Sequence, residues 1–216
     1  MYDKSLTRID VENLAVSRYQ LAATTVGNYA VIGGGNTSYG TFESYDTSLT
    51  HQVSTFESPR KKLGLAATTV GSYAVFAGGS GGTESDRVDY CDGALTFYSA
   101  ARVLKSPRGN LAAATVGEWA ILAGGGAYSK VVDIYDASVT QLDRSDYLRT
   151  ARRYLSATAV GDYALFAGGR TSSTGESNEV DAFNSSLTRI DTVENLSNSR
   201  TDIMATTIDE LAMFAG

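Results

Sequence analysis

Small and apolar residues recur in one order five times along the chain. Leu21–Gly35 (LAATTVGNYAVIGGG) shows it: a small, β-prone stretch, a turn glycine, an apolar stretch with a leading aromatic, and a glycine run. Leu65–Gly79, Leu111–Gly125 and Leu155–Gly169 repeat it, and Ile203–Gly216 is a worn copy with Asp209 at the turn. The turn positions 27, 71, 117, 161 and 209 lie 44, 46, 44 and 48 residues apart. Self-similarity at such a period marks a repeat architecture, to be counted by units rather than by length.

Each unit continues in a period of two. A polar loop follows the glycine run, then an alternating phrase such as Arg87–Cys91 (RVDYC), a turn, and a further stretch such as Leu95–Leu104. Four short strands, a to d, bounded by turn residues predict an all-β unit, and no stretch holds a 3.6-residue period long enough for a helix. Four-stranded units of this length are the blades of a β-propeller. Strand a is made of small residues, Ala22-Ala23-Thr24-Thr25 and its copies, as crowding at a common axis requires. The aromatic column Tyr29, Tyr73, Trp119, Tyr163, ending in Leu211, is expected to fill space between sheets.

These residues resemble the kelch-repeat family of β-propellers. The likeness rests on the glycine doublet after an aromatic-bearing strand, on the V-[DE]-x-Y-D phrase of strand c, and on a cation opening strand a. That phrase reads Phe42–Asp46, Val88–Asp92, Val132–Asp136 and Val180–Asn184, and the cations are Arg18, Lys62, Arg108, Arg152 and Arg200. The tryptophan that kelch repeats usually carry after the strand c turn is replaced by leucine or valine at Leu6, Leu49, Leu95, Val139 and Leu187. The resemblance covers the whole chain, 1–216, as a single propeller, and identifies it as a divergent, bacterial-type version.

The ends set the phase. Met1-Tyr2-Asp3 is the tail of a strand c, four full units follow, and strands a and b stand alone at the end. A five-blade ring closed by N-terminal strands c and d pairing with C-terminal strands a and b is therefore expected, leaving no sheet edge at the seam. A piece of a longer array, or closure by a second copy of the chain, are the alternatives. Ser5–Leu14 nearly repeats as Ser186–Leu196, which favours duplication within an array.

Composition narrows the chemistry. The formal net charge of −6 offers no basic field for nucleic acid, and no apolar run suits a leader or a membrane span, so a soluble chain is expected. His51 is the only histidine, which leaves a nucleophile without a base and a copper site of the galactose-oxidase kind without ligands. His51 is expected to be solvated, and Cys91, in a slot filled elsewhere by Tyr45, Tyr135 and Phe183, to be a small core residue. No catalytic residue, metal or cofactor is expected. The glycine runs lead into loops and strands rather than a helix, so they fail as phosphate loops.

What remains is a binding or scaffold module that presents one loop face to a protein or acidic peptide. The family's usual recognition face is made by the d–a and b–c loops, and the column Arg18, Lys62, Arg108, Arg152 and Arg200 opens strand a there. Like cations at one level attract an acidic ligand, or else pair with the strand c acids Glu43, Asp89, Asp133 and Asp181. Tyr39 and Tyr128, in b–c loops, are the rings a glycan-binding module would use. A structural or assembly segment of a longer repeat protein is the other class in play.

Overall fold

The computed structural model describes residues 5–36, 40–58, 62–100, 103–144, 146–173 and 175–216, and among these every regular element is a β-strand. Unit 1 pairs β1 (Leu21–Val26), β2 (Tyr29–Gly34), β3 (Gly40–Asp46) and β4 (His51–Ser58) in chain order, each strand antiparallel to the next. Unit 2 does the same with β5 (Ala66–Val70), β6 (Tyr73–Ala77), β7 (Val88–Asp92) and β8 (Phe97–Ser99). Unit 3 uses β9 (Ala112–Val116), β10 (Trp119–Ala123), β11 (Ser129–Tyr135) and β12 (Asp146–Arg152).

Unit 4 places a small hairpin of β15 (Arg170–Thr171) and β16 (Gly175–Glu176) between its inner strands, β13 (Ser156–Val160) and β14 (Tyr163–Ala167), and its outer ones, β17 (Val180–Asn184) and β18 (Arg189–Ile190). The sequence predicted only a loop there. The chain ends on a two-stranded sheet of β19 (Met204–Ile208) and β20 (Leu211–Ala215). All five predicted hairpins are therefore present.

The first strand of each unit lies beside that of the next: β1 by β5, β5 by β9, β9 by β13, and β13 by β19. This is a propeller-like arrangement. Small side chains make it possible, because threonine hydroxyls meet across the gaps, at 2.7 Å for Thr24–Thr69, 2.8 Å for Thr68–Thr115 and 2.7 Å for Thr158–Thr207. The core lies between units rather than within one. Phe42 of unit 1 meets Phe76 of unit 2 edge-on at 5.0 Å, and Phe97 at 4.8 Å, above Val31 and Cys91.

Two local devices make the units alike. The last residue of the strand c phrase caps the next turn: the Asp46, Asp92, Asp136 and Asn184 side-chain oxygens accept from the backbone N–H groups two and four residues on. That turn forces a left-handed backbone at Leu49, Leu95, Val139 and Leu187, with Leu6 in the same conformation at φ 60. Val139 and Leu187 bury against the preceding unit, whereas Leu6 is 83% exposed. In the aromatic column Tyr73 and Trp119 are half-buried, whereas Tyr163 and Leu211, covered by no further turn among the described residues, are exposed.

The glycine doublets are the second device. Gly78, at φ 72, would carry a Cβ only 2.3 Å from the Arg108 carbonyl oxygen of the next unit, so only glycine fits. The second glycine of each doublet donates its N–H to the backbone of the next unit: Gly35 to Lys62, Gly79 to Arg108, Gly125 to Arg152 and Gly169 to Arg200. No third strand pairs with β20 among the described residues. Met1-Tyr2-Asp3, the expected strand c of the seam, lies outside the described residues.

Gly78→Ala should lower stability by about 1–3 kcal/mol or more, because it adds a left-handed penalty to a clash with backbone. Gly161→Asn, at φ 53 with open space around it, should stay within about 0.5 kcal/mol of wild type. Urea unfolding of both variants checks this; equal losses would show that the doublet does not stitch the units.

Candidate functional site

The cation column expected to face a ligand is instead buried inside the sheets. Lys62 Nζ sits 2.7 Å from Asp89, Arg108 Nη2 sits 2.6 Å from Asp133, and Arg152 and Arg18 bond the carboxylates of Asp181 and Glu43. Lys62, Arg108 and Arg152 are essentially without exposed surface, as are the acids they meet. The strand a opening and strand c are neighbours within one unit, so the nearest anion to each cation is its own acid. The guanidinium groups also bond their own glycine carbonyls, Arg108 Nε on Gly124 O at 2.8 Å and Arg152 Nη1 on Gly168 O at 2.6 Å. These residues are stitches and present nothing to a ligand.

Each acid is held from a second side. Asp133 accepts from Gln141, and Asp89 from Arg87 and Ser99. At the position of Gln141 unit 1 has His51, whose Nε2 lies 2.6 Å from Glu43 and whose ring stacks on Tyr45 at 4.8 Å. His51 is thus a partner of the buried acid and not a solvated surface residue. Sequence reading missed this because the role passes through different residue types: histidine, serine and glutamine.

Burial and charge oppose one another at these pairs. Burial pushes the Lys62 ammonium below its ordinary 10.5, while Asp89 pulls it back. Burial pushes the Asp89 carboxyl up, but the charge and hydrogen bond of Lys62 outweigh it and leave the group below the usual 3.8. Cys91 is fully buried, as expected, and burial pushes its thiol up to about 12. Among the described residues no group of three or more histidine, cysteine or acidic side chains could hold a metal.

Arg200 differs from the other four cations. Among the described residues no third strand pairs with β20, and no carboxylate pairs with Arg200. Its Nη1 still reaches the Gly216 carbonyl at 3.3 Å, and its Nε is buried without a hydrogen-bond partner.

The exposed chemistry gathers at one end of the inner strands. Two residues after each cation stand Gln20, Gly64, Asn110, Tyr154 and Asp202, all left-handed at φ 54 to 63. Each N–H from the second onward donates to the carbonyl of the one before: Gly64 to Gln20, Asn110 to Gly64, Tyr154 to Asn110 and Asp202 to Tyr154. Inside this arc lies a shallow cavity of about 200 Å³, floored by Leu65, Leu111, Leu155 and Ile203. Beside it the Arg153 guanidinium stacks between the rings of Tyr128, at 4.6 Å, and Tyr154, at 5.0 Å.

Tyr128 is therefore at this mouth, although its ring is covered by Arg153 rather than free to stack on a sugar. Tyr39 lies outside the described residues. The arc escaped sequence reading because its members share a conformation and not a residue type. Compared with known proteins, the chain matches no family model and none of the curated proteins.

Arg108→Gln should cost about 3–5 kcal/mol, since it leaves the buried Asp133 carboxylate with only the more distant Lys105, at 3.9 Å, as a cation. Arg200→Gln, which leaves no buried carboxylate behind among the described residues, should cost under about 1 kcal/mol. Denaturant unfolding compares them, and a mild Arg108→Gln would refute the stitch. Stability should also fall with acid. The Asp89, Asp92 and Asp136 carboxyls all lie below their ordinary value, so their contribution is complete above it and is lost as pH drops through the lower folded values, from about pH 4 downward. Urea midpoints measured between pH 7 and pH 2 would show the decline; a flat profile would count against it.

Proposed function

We propose that the chain is a non-catalytic binding and scaffold module of the kelch-like β-propeller kind, with its recognition surface at the mouth framed by Asn110, Tyr154 and Asp202. The supporting observation is the apolar-floored cavity at the convergence of the inner strands, rimmed by equivalent positions of successive units and flanked by the Arg153–Tyr128–Tyr154 stack. A rigid scaffold with variable loops at one end is the usual setting for recognition. The mouth suits a protein loop or peptide: it combines an apolar floor, a guanidinium and one carboxylate. The acidic preference now rests on Arg153 and the exposed Arg170, because four of the five columned cations are consumed inside the sheets.

In this propeller four blades are complete and a fifth is begun by β19 and β20. The fifth is finished by N-terminal strands c and d in the five-blade ring; a longer array, or a second copy of the chain, is the alternative. An assembly role is the second reading. It is favoured by the apolar face of the last hairpin, where Met204, Ile208, Leu211 and Met213 are all exposed.

Peptides selected from a random phage-displayed library against the chain should lose binding to Arg153→Glu combined with Tyr154→Ala. They should keep binding to Glu118→Arg, at the opposite end of the inner strands. Clones that bind both variants equally would remove the mouth as the recognition surface.

A further inference from the structure

We infer that the cleft between units 1 and 2 is a binding site for a small phenolic ring. It shares no lining residue with the mouth and does not depend on a ligand there.

The neighbouring units show what closes this place elsewhere. The middle residue of the strand c phrase faces the following unit, and its cross-strand partner in strand d stands beside it. In unit 2 the pair is Tyr90 and Tyr98, whose rings stack at 5.2 Å, with Tyr73 edge-on to Tyr90 at 5.3 Å. In unit 3 it is Ile134 and Leu142, packed against Leu187 of unit 4. In unit 1 the pair is Ser44 and Gln52. A hydroxyl and an amide thus stand where rings or branched chains close the other clefts. What results is a cleft of about 260 Å³, lined in part by Phe42, Ser44, Gln52 and Ser54 of unit 1 and by Leu95 and Phe97 of unit 2. The turn residue above it tells the same story. Val139 and Leu187 are 6% and 4% exposed where they press on units 2 and 3, whereas Leu95, at the same position over unit 1, is only half-buried. Both flanking sheets are complete and consecutive, so the cleft lies within the array.

Its lining has two kinds of surface. Phe42 and Phe97, with centroids 4.8 Å apart, and Phe56, stacked on Phe97 at 5.4 Å, bring aromatic rings to one side. Ser44, Gln52 and Ser54 bring two hydroxyls and an amide to the other. Glu43 is the one charged residue among the described lining, and Arg18 and His51 already engage its carboxylate. The matching ligand is therefore planar, uncharged and able to hydrogen-bond. A phenol meets all three demands. Its ring packs edge-on or offset against phenylalanine. Its hydroxyl both donates and accepts, and with a pKa of about 10 it is neutral at pH 7. Tyr90 and Tyr98 are the chain's own example of that chemistry at the same place one unit on. A concave site of apolar rings with a few converging polar groups is also the usual form of a small-molecule pocket. The shared chemistry is a para-substituted phenol, free or carried as the tyrosine side chain of a partner.

The probe is p-cresol, titrated into isotope-labelled protein and followed through backbone amide NMR shifts. Saturable shifts are expected at residues 44, 52–55 and 94–97, with Asn110, Tyr154 and Asp202 at the mouth unmoved. Toluene, which lacks the hydroxyl, should bind at least about fivefold more weakly. Gln52→Tyr, at an exposed position of β4, should weaken p-cresol binding by at least about fivefold by occupying part of the cleft. Ser44→Tyr combined with Gln52→Tyr should abolish it, with a urea midpoint no lower than that of the wild type. N-acetyltyrosinamide separates the two sources: binding equal to that of p-cresol supports the site with a partner's tyrosine as its occupant, and exclusion supports it with a free phenol. No saturable shift at 44, 52–55 and 94–97, or unchanged p-cresol affinity in Gln52→Tyr, would overturn the site. Toluene binding as tightly as p-cresol would overturn the phenol assignment.

Discussion

A buried cation facing a buried carboxylate, once per unit, is the constraint on which the rest of the structure depends. Taking both charges out of water costs several kcal/mol per ion, and good geometry is needed to recover it. Here the geometry comes from the fold. The cation opens the first strand, the acid sits mid-way along the third, and the glycine doublet ending the second strand leaves its carbonyl open to the guanidinium. That same doublet donates to the backbone of the next unit's cation. One cluster thus locks the strands of a unit together and fastens it to its neighbour. The doublets must be glycine because a side chain would enter the next unit's backbone.

The same cluster accounts for the contrast between the middle of the chain and its ends. Units 2 and 3 have neighbours on both sides, and their inter-unit faces are closed by Val75, Ile121 and Ile134 with the turn residues Val139 and Leu187. At the last hairpin the corresponding side chains are exposed, and no carboxylate pairs with Arg200 among the described residues. A unit that is repeated satisfies its neighbours' needs as well as its own.

Most of the fold was legible because the pattern is periodic. Positions of the hairpins, the all-β character and the core slot of Cys91 followed from columns of like residues. The candidate site was legible only in part. The cation column was visible, but its direction was not: residues that look like a ring of exposed charge in sequence lie two strands from an acid that neutralises them. His51 looked solvated because its partner Glu43 lies across a strand pair. The mouth was invisible because Gln20, Gly64, Asn110, Tyr154 and Asp202 share only a left-handed backbone.

The amino-acid sequence alone determined the repeat, its period, the strand alternation and the places where only glycine or a capping aspartate will serve. These are local properties, set by side-chain size, backbone freedom and the two-residue period of a strand. Tertiary structure alone decided which charges are paired and which faces are covered. Pairing across strands depends on register, and burial depends on what lies on either side, so Arg152 is sealed on Asp181 while the same residue type at Arg200 meets no carboxylate among the described residues.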